Sequence, residues 1–150
     1  MNLKDKISRD LKDAMKSGEK VRLQTIRSIR ASILEFEKSG SGIEMNEEEE
    51  IKLLTTAAKK RKESIEQFIN GGRQDLAKAE ETELEIIMTY LPEQLSEEDI
   101  KKEVIKIAEN VGAVSKADFG KLMGAAVKKL KGKADGRVIK EIVEKVLGDN

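Results

Sequence analysis

A serine hydroxyl beside a lysine amine, Ser115-Lys116, has the residue types of a nucleophile and its base. The same serine stands three residues before Asp118, the spacing at which a hydroxyl caps a helix and a carboxylate reaches back to the cap. Capping is the stronger reading, because nucleophilic catalysis also needs convergent partners and an oxyanion hole. The chain has no histidine and no cysteine, which removes Cys–His pairs and zinc–sulfur sites. GKADG, Gly132 to Gly136, lacks the spacing of a P-loop, and no strand is expected before it. No catalytic residue, metal ligand or cofactor is assigned on these grounds.

The other chemistry on offer is electrostatic. In KKLKGKADGR, Lys128, Lys129, Lys131, Lys133 and Arg137 surround Gly132 and Gly136, and Asp135 is the single carboxylate. Cations supply phosphate-binding charge, glycine lets a partner approach the backbone, and the N–H groups opening the next helix add partial positive charge. The pattern fits a polyanion contact, and it fits equally a basic helix end that complements its own dipole. No aromatic residue lies within it to stack on a base, so any nucleic acid would be held by its phosphates. The acidic run Glu47 to Glu50 reads as a helix start matched to the helix dipole, since no histidine joins those carboxylates.

The elements that must position these residues follow from composition and periodicity. Charged residues make up 39% of the 150 and aromatics 3%, which points to amphipathic helices with aliphatic faces. Basic and acidic residues number 29 each, so any attraction to nucleic acid must come from local segregation of charge. The lack of cysteine is compatible with a reducing cytoplasm, and MNLKDKISRDL has no apolar run for a signal peptide or membrane span. A cytoplasmic protein without a membrane partner is expected.

Leu3, Ile7, Leu11 and Met15 predict a first helix ending at Gly18, and Leu23, Ile26, Ile29, Ile33 and Phe36 a second over about residues 20–38. A flexible loop, Ser39-Gly40-Ser41-Gly42, follows. Asn46 and Glu49 cap a third helix carrying Leu54, Ala58, Ile65 and Phe68 to Gly71-Gly72. Arg61 falls on that apolar face and Arg27 at the edge of the second helix's face, and both read as ion-paired or snorkelling side chains. A fourth helix, with Leu76, Leu84, Ile87 and Leu91, packs back on the third and is expected to stop at Leu91. Pro92, the only proline, removes a donor and restricts the residue before it. Ser96 and Asp99 cap a fifth helix on Ile100, Val104, Ile107 and Val111, ending at Gly112. Ser115 opens a sixth on Phe119, Leu122, Met123, Ala126, Val127 and Leu130, and Val138, Ile142, Val143 and Val146 mark a seventh. The fold class expected is all-α, with a four-helix part over 1–92 and a three-helix part over 93–150.

RLQTIRSIRASI, KKRKESIEQF, YLPEQLSEEDI and GAVSKADFGKLMGAAVKKLKGKADGRVIKEIV together resemble the YqeY family, the GatB/YqeY group of small bacterial proteins, over nearly the whole chain. The last two segments are the most specific. The resemblance implies two helical subdomains, the C-terminal one similar to the tail of the GatB subunit of tRNA-dependent amidotransferase, which helps engage tRNA while other domains do the chemistry. It supports Lys121, Lys129, Lys131, Gly132, Lys133, Ala134, Asp135 and Gly136 as the tail motif, and Tyr90, Leu91 and Pro92 as the hinge. Asp135 is then placed to cap the last helix. Many relatives have proline where this chain has Lys128, so the sixth helix is expected to run further here. Arg27, Lys59, Arg61 and Lys62 lie in matching segments but receive no role from the resemblance.

Three functional classes follow. The first is a non-catalytic RNA-associated module with tRNA or another structured RNA as partner, and with an aminoacyl-tRNA or amidotransferase-related protein as a further candidate. Its contact residues would be Lys121, Lys128, Lys129, Lys131, Gly132, Lys133, Gly136 and Arg137. The second, implied by the family label, is carbon–nitrogen ligase activity with glutamine as amido-N donor. The third is a protein adaptor without RNA, which exposed apolar residues on the N-terminal helices would favour.

Overall fold

The computed structural model describes residues 2–40, 42 and 44–148, so Ser41 of the expected loop lies outside the described residues. Every element among them is helical: α1 Leu3–Ser17, α2 Lys20–Lys38, α3 Glu47–Asn70, α4 Gln74–Met88, α5 Glu97–Val111, a 3-10 turn Lys116–Asp118, α6 Phe119–Lys129 and α7 Gly136–Gly148. The protein is all-α. Tertiary contacts fall into two compact units, Met1–Leu91 and Pro92–Asn150.

Side-chain caps start the helices where short polar residues precede apolar periodicity. Asn2 accepts from the Asp5 N–H at 2.8 Å, Asn46 from the Glu49 N–H at 2.9 Å and Ser96 from the Asp99 N–H at 3.1 Å. Each cap satisfies one of the donors that a helix start leaves without a partner. Glu50, read from sequence as part of a solvated run, also accepts from the Leu3 N–H at 3.1 Å and so ties the start of α1 to α3.

In the N-terminal unit the core is built from Leu3, Ile7 and Ala14 of α1, Ile26, Ile29 and Ile33 of α2, Leu54 and Ala58 of α3, and Ile87 of α4. Two expected core positions are corrected. Met15 and Leu76 are exposed, and the adjacent Ala14 and Ala77 take the buried places. The helix before the proline also ends earlier than expected, at Met88 and not Leu91. Leu91 cannot stay helical before Pro92, and the chain tightens instead into turn bonds from Tyr90 N–H to Ile87 O at 3.0 Å and Leu91 N–H to Met88 O at 3.2 Å. The Tyr90 hydroxyl donates to Asp10 of α1 at 2.5 Å. Burial first, and then that carboxylate, push its phenol well above the ordinary range.

Arg61 meets carboxylates, one of the two outcomes expected for it. Its Nε lies 3.1 Å from Glu83 Oε2 and 3.6 Å from Glu80 Oε2, both on α4, and its Nη2 lies 3.5 Å from Ser28 Oγ on α2. One guanidinium therefore serves two carboxylates, and Glu80 Oε2 is buried without a hydrogen bond. Burial, and then the charge of Glu83, hold Glu80 above the usual carboxylate range against the pull of Arg61.

The C-terminal unit has its own aliphatic core of Ile100, Val104 and Ile107 from α5, Leu122 and Ala126 from α6, and Ile139, Ile142, Val143 and Leu147 from α7, with Leu130 beside them. Val127, expected in this core, is exposed. Ile139 and Leu147 complete the buried face of α7.

A carboxyl whose pKa is raised by folding adds stability at low pH that is lost as pH rises through its folded value. Glu80→Gln, which mimics the protonated form, is expected to raise the melting temperature at pH 7 by roughly 2–5 °C and to have no effect at pH 4. Circular dichroism melts at the two pH values test this, and an equal or lower melting temperature at pH 7 contradicts it.

Candidate functional site

Lys128 and Lys129 occupy the last turn of α6, where cations complement the carbonyl end of the helix. The helix runs through Lys128 to Lys129, consistent with the lysine in place of proline. Leu130 then drops into the core, and Lys131 to Asp135 form the turn that leads to α7.

Gly132 sets the shape of this turn. Its φ of 78° lies in the left-handed region, which side chains with a Cβ rarely adopt. The residue is buried, whereas Lys131 and Lys133 on either side are exposed. The Lys133 N–H donates to Leu130 O at 2.9 Å, closing the turn over the glycine.

A second segment holds the turn from outside. The Leu95 N–H donates to Lys133 O at 2.9 Å, and Gln94 Nε2 donates to Gly132 O at 2.6 Å and to Pro92 O at 2.8 Å. The proline segment and the basic turn, far apart in sequence, are thus joined within the C-terminal unit by the bonds from Gln94 and Leu95. Gln94 and Leu95 escaped the sequence reading. The signal available was their place in the specific YLPEQL motif, but nothing in the sequence says which backbone a glutamine will serve.

Asp135 caps α7, its Oδ1 accepting from the Arg137 N–H at 2.8 Å while its carbonyl accepts from the Ile139 N–H at 3.0 Å. That carboxylate already occupies the opening of α7, so the positive character here rests on side chains more than on the helix N–H groups. Lys128, Lys129, Lys131, Lys133, Gly136 and Arg137 are all exposed. Lys129 Nζ lies 3.9 Å from Glu103 Oε2 of α5, a solvated and therefore weak pairing. Lys121 shares a helix face with Lys128 but stands two turns away, roughly 10 Å along the axis. Its charge acts on Asp118, so it flanks the turn and does not join it.

The Ser115–Lys116 pair is absorbed by structure. Ser115 and Asp118 form the reciprocal capping box, and Asp118 Oδ2 accepts from the Val114 N–H at 2.9 Å and the Ser115 N–H at 3.3 Å. These bonds hold the Asp118 carboxyl below its usual range. The box opens the 3-10 turn, and α6 proper starts at Phe119, later than the sequence reading placed it.

The model of a family described as Yqey-like protein matches residues 4–147. "Altered inheritance of mitochondria protein 41, mitochondrial" of Pyrenophora tritici-repentis is 31% identical over 95% of this chain and 80% of its own length. The protein of the same name from Lachancea thermotolerans is 36% identical over 57% of this chain and 46% of its own length. An uncharacterized protein of Schizosaccharomyces pombe is 34% identical over 63% of this chain and 76% of its own.

Gly132→Ala forces a Cβ into the left-handed region and is expected to destabilise the C-terminal unit by about 1–2 kcal/mol. Faster amide hydrogen exchange in α6 and α7, with α1 to α4 unchanged, is the measurement. Exchange indistinguishable from the parent refutes the conformational role.

Proposed function

The chain belongs to the YqeY family, and from that membership we propose that it is a non-catalytic RNA-associated module that holds phosphates with the turn between α6 and α7. The observation that carries this reading is the exposure of five cationic side chains around one buried glycine: Lys128 and Lys129 at the end of α6, Lys131 and Lys133 on the turn, and Arg137 at the start of α7. Asp135 is the single carboxylate in that stretch, and it is used as a cap. In a chain of zero net charge, such local segregation is the feature that attracts a polyanion. Gly132 contributes by shaping the turn, and Lys121 by adding charge at its edge. The resemblance of this part to the GatB tail makes tRNA the first RNA to test, with an aminoacyl-tRNA or amidotransferase-related protein as an associated partner.

Ligase chemistry is the weaker alternative. With Ser115 engaged in a capping box and no histidine or cysteine in the chain, glutamine-dependent amidation would need a partner to supply the nucleophile. A cytoplasmic location goes with the RNA reading. The names of two relatives assign those proteins to mitochondria. No helix among the described residues is long and apolar enough to cross a membrane.

One observation favours a protein adaptor as second reading. Met15 and Val21 flank the turn at Gly18, and Ile69 and Leu76 flank the turn at Gly71-Gly72, all four exposed. Scattered exposed apolar residues are common on any surface, which ranks this reading below the first.

If the five cations each neutralise a phosphate, tRNA affinity falls with salt at a log–log slope of roughly three to five. Lys131→Ala with Lys133→Ala is expected to flatten that slope by about 1.5–2 with the helices retained, since both residues are exposed and outside the core. Gel shifts with bulk tRNA over a salt series measure it. Tight binding at an unchanged slope leaves the turn as a helix connection only.

A further inference from the structure

We propose that Gln94 is a positioning residue for the polyanion contact, fixing the backbone of Gly132 and Lys133 so that the neighbouring lysines reach phosphates together. This inference rests on the RNA reading above. Its starting point is a side chain whose own surroundings do not demand it. Gln94 is exposed and belongs to neither the core nor a helix. Even so, its amide nitrogen donates inside the protein to both Pro92 O and Gly132 O. Both partners are carbonyls and can only accept, so only the nitrogen end of the amide can serve them.

The adjacent residue completes the clasp. The Leu95 N–H takes the next carbonyl, that of Lys133, and Leu95 packs against the C-terminal core. Two successive peptide units of the turn are thereby held from one side, leaving the side chains of Lys131 and Lys133 exposed. Ordering several lysines on separate flexible loops would cost conformational entropy at each phosphate. Ordering the backbone in advance removes part of that cost from binding. Without the clasp, the turn keeps its charge and its spacing is no longer fixed, so fewer phosphates are engaged at once.

The salt slope separates this role from mere structural support, because it counts phosphates engaged per bound molecule, whereas a smaller folded fraction lowers apparent affinity at constant slope. The test uses the full chain with bulk tRNA, comparing the parent, Gln94→Ala, Gln94→Met and the Lys131→Ala/Lys133→Ala double variant. Methionine keeps the side-chain length while removing the amide. Both Gln94 variants are expected to lower the slope by roughly 0.7–0.9 for each phosphate that the turn no longer reaches, with one or two phosphates released. They are also expected to speed amide exchange at Leu95 and Lys133 with the α5 to α7 amides unchanged. An unchanged slope in both Gln94 variants, with or without weaker binding, overturns the proposal while the double variant still flattens it. If the parent itself binds without salt dependence, or the double variant matches the parent, the RNA reading fails and this inference falls with it.

Discussion

Proline at position 92 cannot donate a backbone hydrogen bond and bars the residue before it from the helical region. The constraint reaches well beyond one peptide unit, because the stretch between α4 and α5 must dispose of its polar backbone groups without a helix to absorb them. On the N-terminal side the solution is a tightened turn over Thr89 to Leu91, with the Tyr90 hydroxyl fastened to Asp10. On the C-terminal side the stretch gives its donors to another piece of backbone that also lacks helical partners, the turn at Gly132 and Lys133. The connection from α4 to α5 thus supports the turn between α6 and α7.

Both units are held by aliphatic side chains. Among the described residues no aromatic is fully buried, and isoleucine, leucine, valine and alanine fill the cores. Burying each of the larger aliphatics contributes roughly 1.5–3 kcal/mol, and the small residues let helices approach closely. Where a charged residue enters the apolar face, as Arg61 does, it brings two carboxylates with it. A shared guanidinium can satisfy one of them well and the second only partly. The consequence, between α3 and α4, is one buried carboxylate oxygen, Glu80 Oε2, without a hydrogen bond.

The functional reading depends on how charge is distributed, since the net charge is zero. Acidic residues are engaged in helix starts, as at Glu49 and Glu50, in caps such as Asp118 and Asp135, and in pairs with Arg61. Lys128, Lys129, Lys131, Lys133 and Arg137, from the end of α6 to the start of α7, are exposed, and Lys129 lies 3.9 Å from Glu103. The stretch from Lys128 to Arg137 holds five exposed cations and one carboxylate. On the proposed RNA reading, this stretch would engage a phosphate backbone and not base edges, because it offers charge without stacking planes.

Most of the helices were legible in the sequence because their signals are local. A cap lies within three residues of the N–H it serves, and an apolar stripe repeats every three or four, so Asn46, Ser96 and the Ile26–Ile29–Ile33 face could be read directly. The basic stretch and the likeness to the YqeY family were legible too, since both are properties of residue order. What the sequence could not determine were choices made by partners distant along the chain. Whether Met15 or Ala14 is buried depends on how closely another helix approaches, and where α4 ends depends on how the restriction before Pro92 is shared out among its neighbours. The turn between α6 and α7 shows the division most clearly. Its charges were evident from Lys128 to Arg137, whereas the tertiary structure alone decided that Gly132 would be buried and its carbonyl held by Gln94, because a hydrogen bond depends on position in space and not on separation along the chain.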